Sequence, residues 1–110
     1  MKNKNVYLLY VGDEWLGRNS LCLIGVYGNK VRAMKDAAKD FAYDFHNMRN
    51  WSADNWDFDE DPDPRPQVVR AECYRSILAE LKENGQTQGH NINYTIIETP
   101  LNQMDCYGLV

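Results

Sequence analysis

Six carboxylates fall within the ten residues from Asp54 to Asp63: Asp54, Asp57, Asp59, Glu60, Asp61 and Asp63. Trp51, Trp56 and Phe58 are interleaved with them. Oxygen ligands at this density are the chemistry of hard cations, so a calcium loop is the first reading to test. Such a loop needs glycine at its sixth position and glutamate at its twelfth. Counted from Asp57 those positions hold Pro62 and Val68, and counted from Asp59 they hold Pro64 and Arg70. Both frames fail.

Other chemistries find less support. His46, His90 and the cysteines Cys22, Cys73 and Cys106 show no paired spacing of the kind that holds zinc. Cys73 lies on an apolar stripe and reads as a small buried hydrophobe. No serine sits in a glycine-flanked nucleophile elbow. The segment Gly85–Gly89 (GQTQG) has no following lysine and is not a phosphate loop. Paired carboxylate catalysis needs two groups held at a fixed separation across a cleft, which a proline-rich segment holds poorly. The expectation is therefore a protein that is not an enzyme, with no metal and no cofactor.

Two readings of the acidic segment stay open. One is a contact surface formed by Trp56, Asp57, Phe58, Asp59, Glu60, Asp61 and Asp63. Clustered negative charge steers a basic partner, and an adjacent aromatic supplies a desolvated anchor. Carboxylates spaced in this way also imitate a phosphate backbone. The other reading is a solvated loop whose aromatics fold back onto the core. A smaller candidate is the connection bearing Asp13, Glu14, Trp15 and Arg18, in which Trp15 reads either as an exposed anchor or, preferably, as a lid over one end of the core.

The elements that must position these residues follow from periodicity. Val6–Val11 (VYLLYV) and Leu21–Tyr27 (LCLIGVY) read as two strands of a hairpin with a long connection. After Gly28, Asn29 is a candidate N-cap. Val31, Met34, Ala38, Phe41, Phe45 and Met48 then recur at spacings of three and four, which predicts an amphipathic helix over 30–48. Residues 49–66 read as a loop, because three prolines close it. A second helix is expected to begin just after Pro66 and run to about Asn84, with Val69, Cys73, Ile77 and Leu81 in one stripe and Gly85 ending it. Asn93–Glu98 reads as a third strand. The order β-β-α-α-β gives an α+β domain over 1–110, with a three-stranded, mainly antiparallel sheet packed with two helices and an acidic loop between them. The first strand is apolar on both sides. Either the helices divide between the two faces of the sheet, or a bare face meets a second copy in a homodimer.

Composition bounds the partners. The 110 residues are 44% hydrophobic and 25% charged, with net charge -4 and a pI near 5.0. A protein that neutralises phosphates needs a surplus of lysine and arginine, so direct nucleic-acid binding is unfavoured and a basic protein partner fits better. An odd, sparse set of cysteines fits a reducing compartment. No apolar run is long enough to span a membrane or to resemble a signal peptide.

The segments Val6–Leu16 (VYLLYVGDEWL) and Ser20–Val26 (SLCLIGV) resemble small uncharacterised proteins encoded in bacteriophage and prophage genomes. Gln86–Gly89 (QTQG), Asn93–Ile96 (NYTI) and Leu101–Asn102 add to the likeness. The acidic segment stands apart as a variable insertion. The resemblance carries no assigned activity and no site residues. It implies an accessory protein acting in the cytoplasm of a bacterial host. By analogy with small acidic phage proteins, it implies an inhibitor of host defence of the anti-CRISPR kind, acting on a basic, nucleic-acid-handling protein. A self-assembling phage accessory protein and a small ligand-binding protein are the alternatives.

Overall fold

The computed structural model describes residues 5–13, 15–60, 62 and 65–100. Asn5–Gly12 (β1) and Cys22–Tyr27 (β2) form an antiparallel pair, joined by a connection that contains a short 3-10 turn at Arg18–Ser20. Asn93–Pro100 (β3) lies antiparallel on the other side of β1, which gives the strand order β2-β1-β3. The three helices are Lys30–Tyr43 (α1), Phe45–Asn55 (α2) and Pro66–Asn84 (α3). The α+β class and the antiparallel three-stranded sheet are those expected from the sequence.

Alternation along the strands settles how the sheet is covered. Leu9, at the middle of β1, is buried, and Val11, Tyr27, Tyr94 and Ile96 pack on the same side. Gly25 and Ile96 are the partners of Leu9 across the sheet. This side receives α1, and α3 packs on α1. Side chains alternate along a strand, so Val6, Leu8 and Tyr10 point to the opposite side, next to Val26 and Ile97. No described helix covers them, and Val26 and Ile97 are exposed.

The helices differ from the sequence reading at one point. The periodic stretch over 30–48 does not form one helix. It breaks at Asp44, whose extended backbone (φ -80°, ψ 123°) ends α1 and starts α2. The Asp44 carboxylate accepts from the backbone N–H of Asn47 at 3.0 Å, satisfying one of the unpaired amides of the first turn of α2. The phase of the stripe is reset there. Phe45 and Val31, both placed on the buried stripe by spacing, are exposed, whereas Ala33, Ala37 and Ala42 are buried.

The loop expected over 49–66 is correspondingly shorter, since residues 49–55 are helical. Asn50, Ser52, Asp54 and Asn55 are weak helix formers. What holds α2 is tertiary: Asn47, Met48 and Trp51 are buried against the rest of the core. Helix α3 follows expectation closely. Pro66 stands in its first turn, Val69, Cys73, Ile77 and Leu81 form its buried stripe, and Gly85 ends it in the left-handed region at φ 73°.

A buried polar cluster fixes the return from α3 to β3. The Thr87 hydroxyl donates to Asn93 Oδ1 at 2.8 Å and accepts from the N–H of Tyr94 at 3.0 Å. Asn93 Nδ2 donates to the His90 carbonyl at 2.8 Å. The Tyr94 hydroxyl donates to Asp40 on α1. Burial, followed by that bond, raises the Tyr94 pKa well above the ordinary tyrosine value.

The capping role of Asp44 gives a direct test. Asp44→Ala is expected to lower stability by about 1 kcal/mol, and Asp44→Asn by a few tenths at most, because asparagine caps equally well. Urea denaturation of the two variants measures the difference.

Candidate functional site

The acidic segment splits into a buried part and a turn. Trp51, placed in a loop by the sequence reading, is a core residue 7% exposed on α2. Trp56 follows the last turn of α2, where its backbone N–H donates to Ser52 O at 2.9 Å. Its half-buried ring packs against the core. Beyond it the chain turns on Asp57. One oxygen of that carboxylate accepts from the backbone N–H groups of Asp59 at 3.0 Å and Glu60 at 3.2 Å. An aspartate that bonds the backbone two residues on is a recognised turn former, so Asp57 has a structural duty as well as a charge. Phe58 is 45% exposed, and Asp59 and Glu60 are exposed. Asp61 and Asp63 lie outside the described residues.

The end of α2, the Asp57 turn and the start of α3 enclose a cleft of about 290 Å³. Trp51, Trp56 and Val68 supply its apolar surface, and Asp57, Glu60 and Glu72 supply carboxylates. Of the residues singled out from sequence, Trp56, Asp57 and Glu60 therefore meet at one place. Phe58 and Asp59 do not line the cleft. Two further members, Val68 and Glu72, come from the first turns of α3 and escaped the sequence reading. Glu72 also pairs with Arg75, one turn along the same helix. The arrangement offers indole and carboxylate side by side, which suits a basic side chain. Its aliphatic stem lies on the ring while its cationic head reaches the acids.

The connection between β1 and β2 is built differently from the lid expected of it. Trp15 is 80% exposed. The organiser is Asp13, whose carboxylate accepts from the N–H groups of Trp15 at 3.1 Å and Gly17 at 3.0 Å. The bond from Gly17 is the main cause that lowers the Asp13 pKa below the usual carboxylate value. Trp15 borders an open groove with Leu16 and the Gln86–Gly89 segment. Glu14 lies outside the described residues.

Among the described residues, no group of three or more histidine, cysteine, aspartate or glutamate side chains is placed to hold a metal ion. Cys73 is buried, and burial pushes its thiol up to about 12, away from a reactive thiolate. His90 bonds Glu80 at 2.8 Å and stacks edge-on against Phe41 at 5.2 Å between ring centroids, which ties the loop before β3 to α3 and α1. No described helix is long and apolar enough to cross a membrane. Comparison with protein-family models, curated proteins and solved structures yields no match.

Two of the three aromatic residues of the segment, Trp51 and Phe58, have separable roles. Trp51→Ala is expected to cost about 3–5 kcal/mol of stability as a large-to-small core change. Phe58→Ala is expected to stay within about 0.5 kcal/mol of the parent protein, as exposed substitutions do. Thermal or urea melts of the two variants check the contrast.

Proposed function

We propose that this protein is a binding protein that engages a basic partner through the acidic surface at the α2–α3 cleft. The observation that carries the reading is the convergence of Trp56, Asp57 and Glu60 on one cleft beside Trp51. An arginine or lysine entering it meets an indole face and at least two carboxylates together. Charge-assisted contacts of that kind are stronger than neutral ones. The turn that presents them is pre-formed by the Asp57 bonds, so little ordering entropy opposes binding. The net charge of -4 adds long-range attraction toward a positively charged protein.

The resemblance to phage-encoded proteins extends the proposal. The partner is a host protein whose basic surface otherwise holds nucleic acid, and the acidic cleft competes for that surface as an anti-CRISPR-like inhibitor does. The site of action is the bacterial cytoplasm.

Calorimetric titration with an arginine-rich peptide tests the cleft. The double variant Asp57→Asn, Glu60→Gln keeps the turn, since asparagine forms the same local bonds, and is expected to bind roughly tenfold more weakly. Binding to the parent protein is expected to weaken as salt is raised. Equal affinity of parent and variant would reject the cleft as the recognition site.

A second reading, self-association, is favoured by the uncovered side of the sheet. Val6, Leu8 and Tyr10 lie there between the exposed Val26 and Ile97. Apolar patches of this kind commonly mark interfaces. Light scattering would then give a dimer mass for the parent and a monomer mass for Leu8→Lys, whereas a monomeric parent at micromolar concentration removes this reading.

A further inference from the structure

A second groove lies away from the α2–α3 cleft, where α1 crosses the sheet. Tyr27 on β2 and Asp36 on α1 line one space, and the hydroxyl of Tyr94 on β3 donates to Asp40. Beside β2 the helix leaves part of the sheet uncovered. The space is about 710 Å³ and open to solvent. Val11, Ile24 and Tyr27 contribute its apolar side, and Asp36, Asp40 and Asp44 line its helical wall. Lys39 also borders it, with its ammonium 5.7 Å from the centre of the Tyr43 ring.

The strand that borders this groove has an open edge. Among the described residues β2 pairs with β1 alone. Its sequence CLIGVY holds no charge and no proline, the usual devices by which an edge is blunted. Leu23, Ile24 and Val26 are 48%, 43% and 56% exposed. One such device is present, the bulge opposite Leu9 and Tyr10 that leaves Ile24 as an extra residue. An unpaired row of backbone N–H and C=O groups is a template for an added strand.

The charges specify what that strand carries. Asp36 and Asp40 are four residues apart on α1, about 6 Å along its axis, and Asp44 follows at its C-cap. Side chains on one side of an extended strand repeat at about 6.7 Å. We infer that the β2 edge and the α1 groove dock an extended segment of alternating basic and apolar residues, added as a fourth strand. Its basic residues face Asp36, Asp40 and Asp44, and its apolar residues extend the uncovered side of the sheet beside Leu23 and Val26. A second copy fits this edge less well. Its own β2 brings no cation, and two-fold pairing would bring a second set of the same aspartates to the seam. The site shares with the α2–α3 cleft only the sign of its partner's charge and uses none of its residues.

The probe is a fluorescently labelled peptide of alternating lysine and valine, long enough to run along β2, with the matching glutamate–valine peptide as control. Fluorescence anisotropy is expected to show saturable binding of the lysine peptide only, and hydrogen exchange is expected to slow at β2 amides when it binds. The double variant Asp36→Asn, Asp44→Asn keeps the α2 cap and is expected to bind roughly five- to tenfold more weakly. Ile24→Lys places a cation in the groove and is expected to abolish binding. The location of the slowed exchange, at β2 amides rather than at the Asp57 turn, separates this site from the α2–α3 cleft. Absence of binding, equal binding of the glutamate peptide, unchanged affinity of the aspartate variant, or binding without slowed exchange in β2 would each overturn the inference. A dimer that Ile24→Lys dissociates would assign the edge to a second copy and overturn it equally.

Discussion

Ala33, Ala37, Ala38 and Ala42 of α1 have no solvent-exposed surface, and they allow this helix to be enclosed on more than one side. The buried positions run in adjacent pairs, 33 and 34, 37 and 38, 41 and 42, which makes a broad apolar stripe. The sheet lies against α1 on one side and α3 on another. Small side chains bring backbones close, while Met34 and Phe41 fill the space between them. Everything described as a site is referred to this helix. Its polar side borders the groove beside β2, and its end at Asp44 launches α2 toward the acidic cleft.

Much of this architecture was legible in the residues. The stripe Val69, Cys73, Ile77, Leu81 and the glycine after it specify α3 nearly to the residue, because one buried face, a proline at the start and a left-handed glycine at the end all agree. The three strands follow from their branched and aromatic content. The break at Asp44 was not legible. Aspartate in a strongly periodic stretch reads as a solvated helix position, and its capping bond to Asn47 depends on the chain bending there. The helix after it was missed for a related reason. Asparagine, serine and aspartate disfavour a helix locally, and only the burial of Met48 and Trp51 overrides them.

The candidate site was half legible. The acidic turn announced itself by composition, and Trp56, Asp57 and Glu60 do meet. Val68 and Glu72 join them through the packing of α2 against α3, which no local pattern records. The acidic wall beside β2 was equally hidden. Asp36, Asp40 and Asp44 fall on the polar side of the periodic stretch, and that they line a groove follows from how α1 packs on the sheet.

The pairing of β1 with β3 also bears on the order in which the chain is made. Tyr7 lies opposite Glu98 and Leu9 opposite Ile96, so the central strand bonds on one side to residues synthesised more than eighty positions later. A ribosome releases the β1–β2 pair and all three helices before the last strand is free. Until then one edge of β1 and the hydrophobic surface meant for Tyr94 and Ile96 stay open. Contacts of such long sequence separation are slow to form because loop closure precedes their reward. Completion of the sheet is thereby deferred until β3 has left the ribosome, and the nascent chain depends on its hairpin and helices to stay compact while it waits.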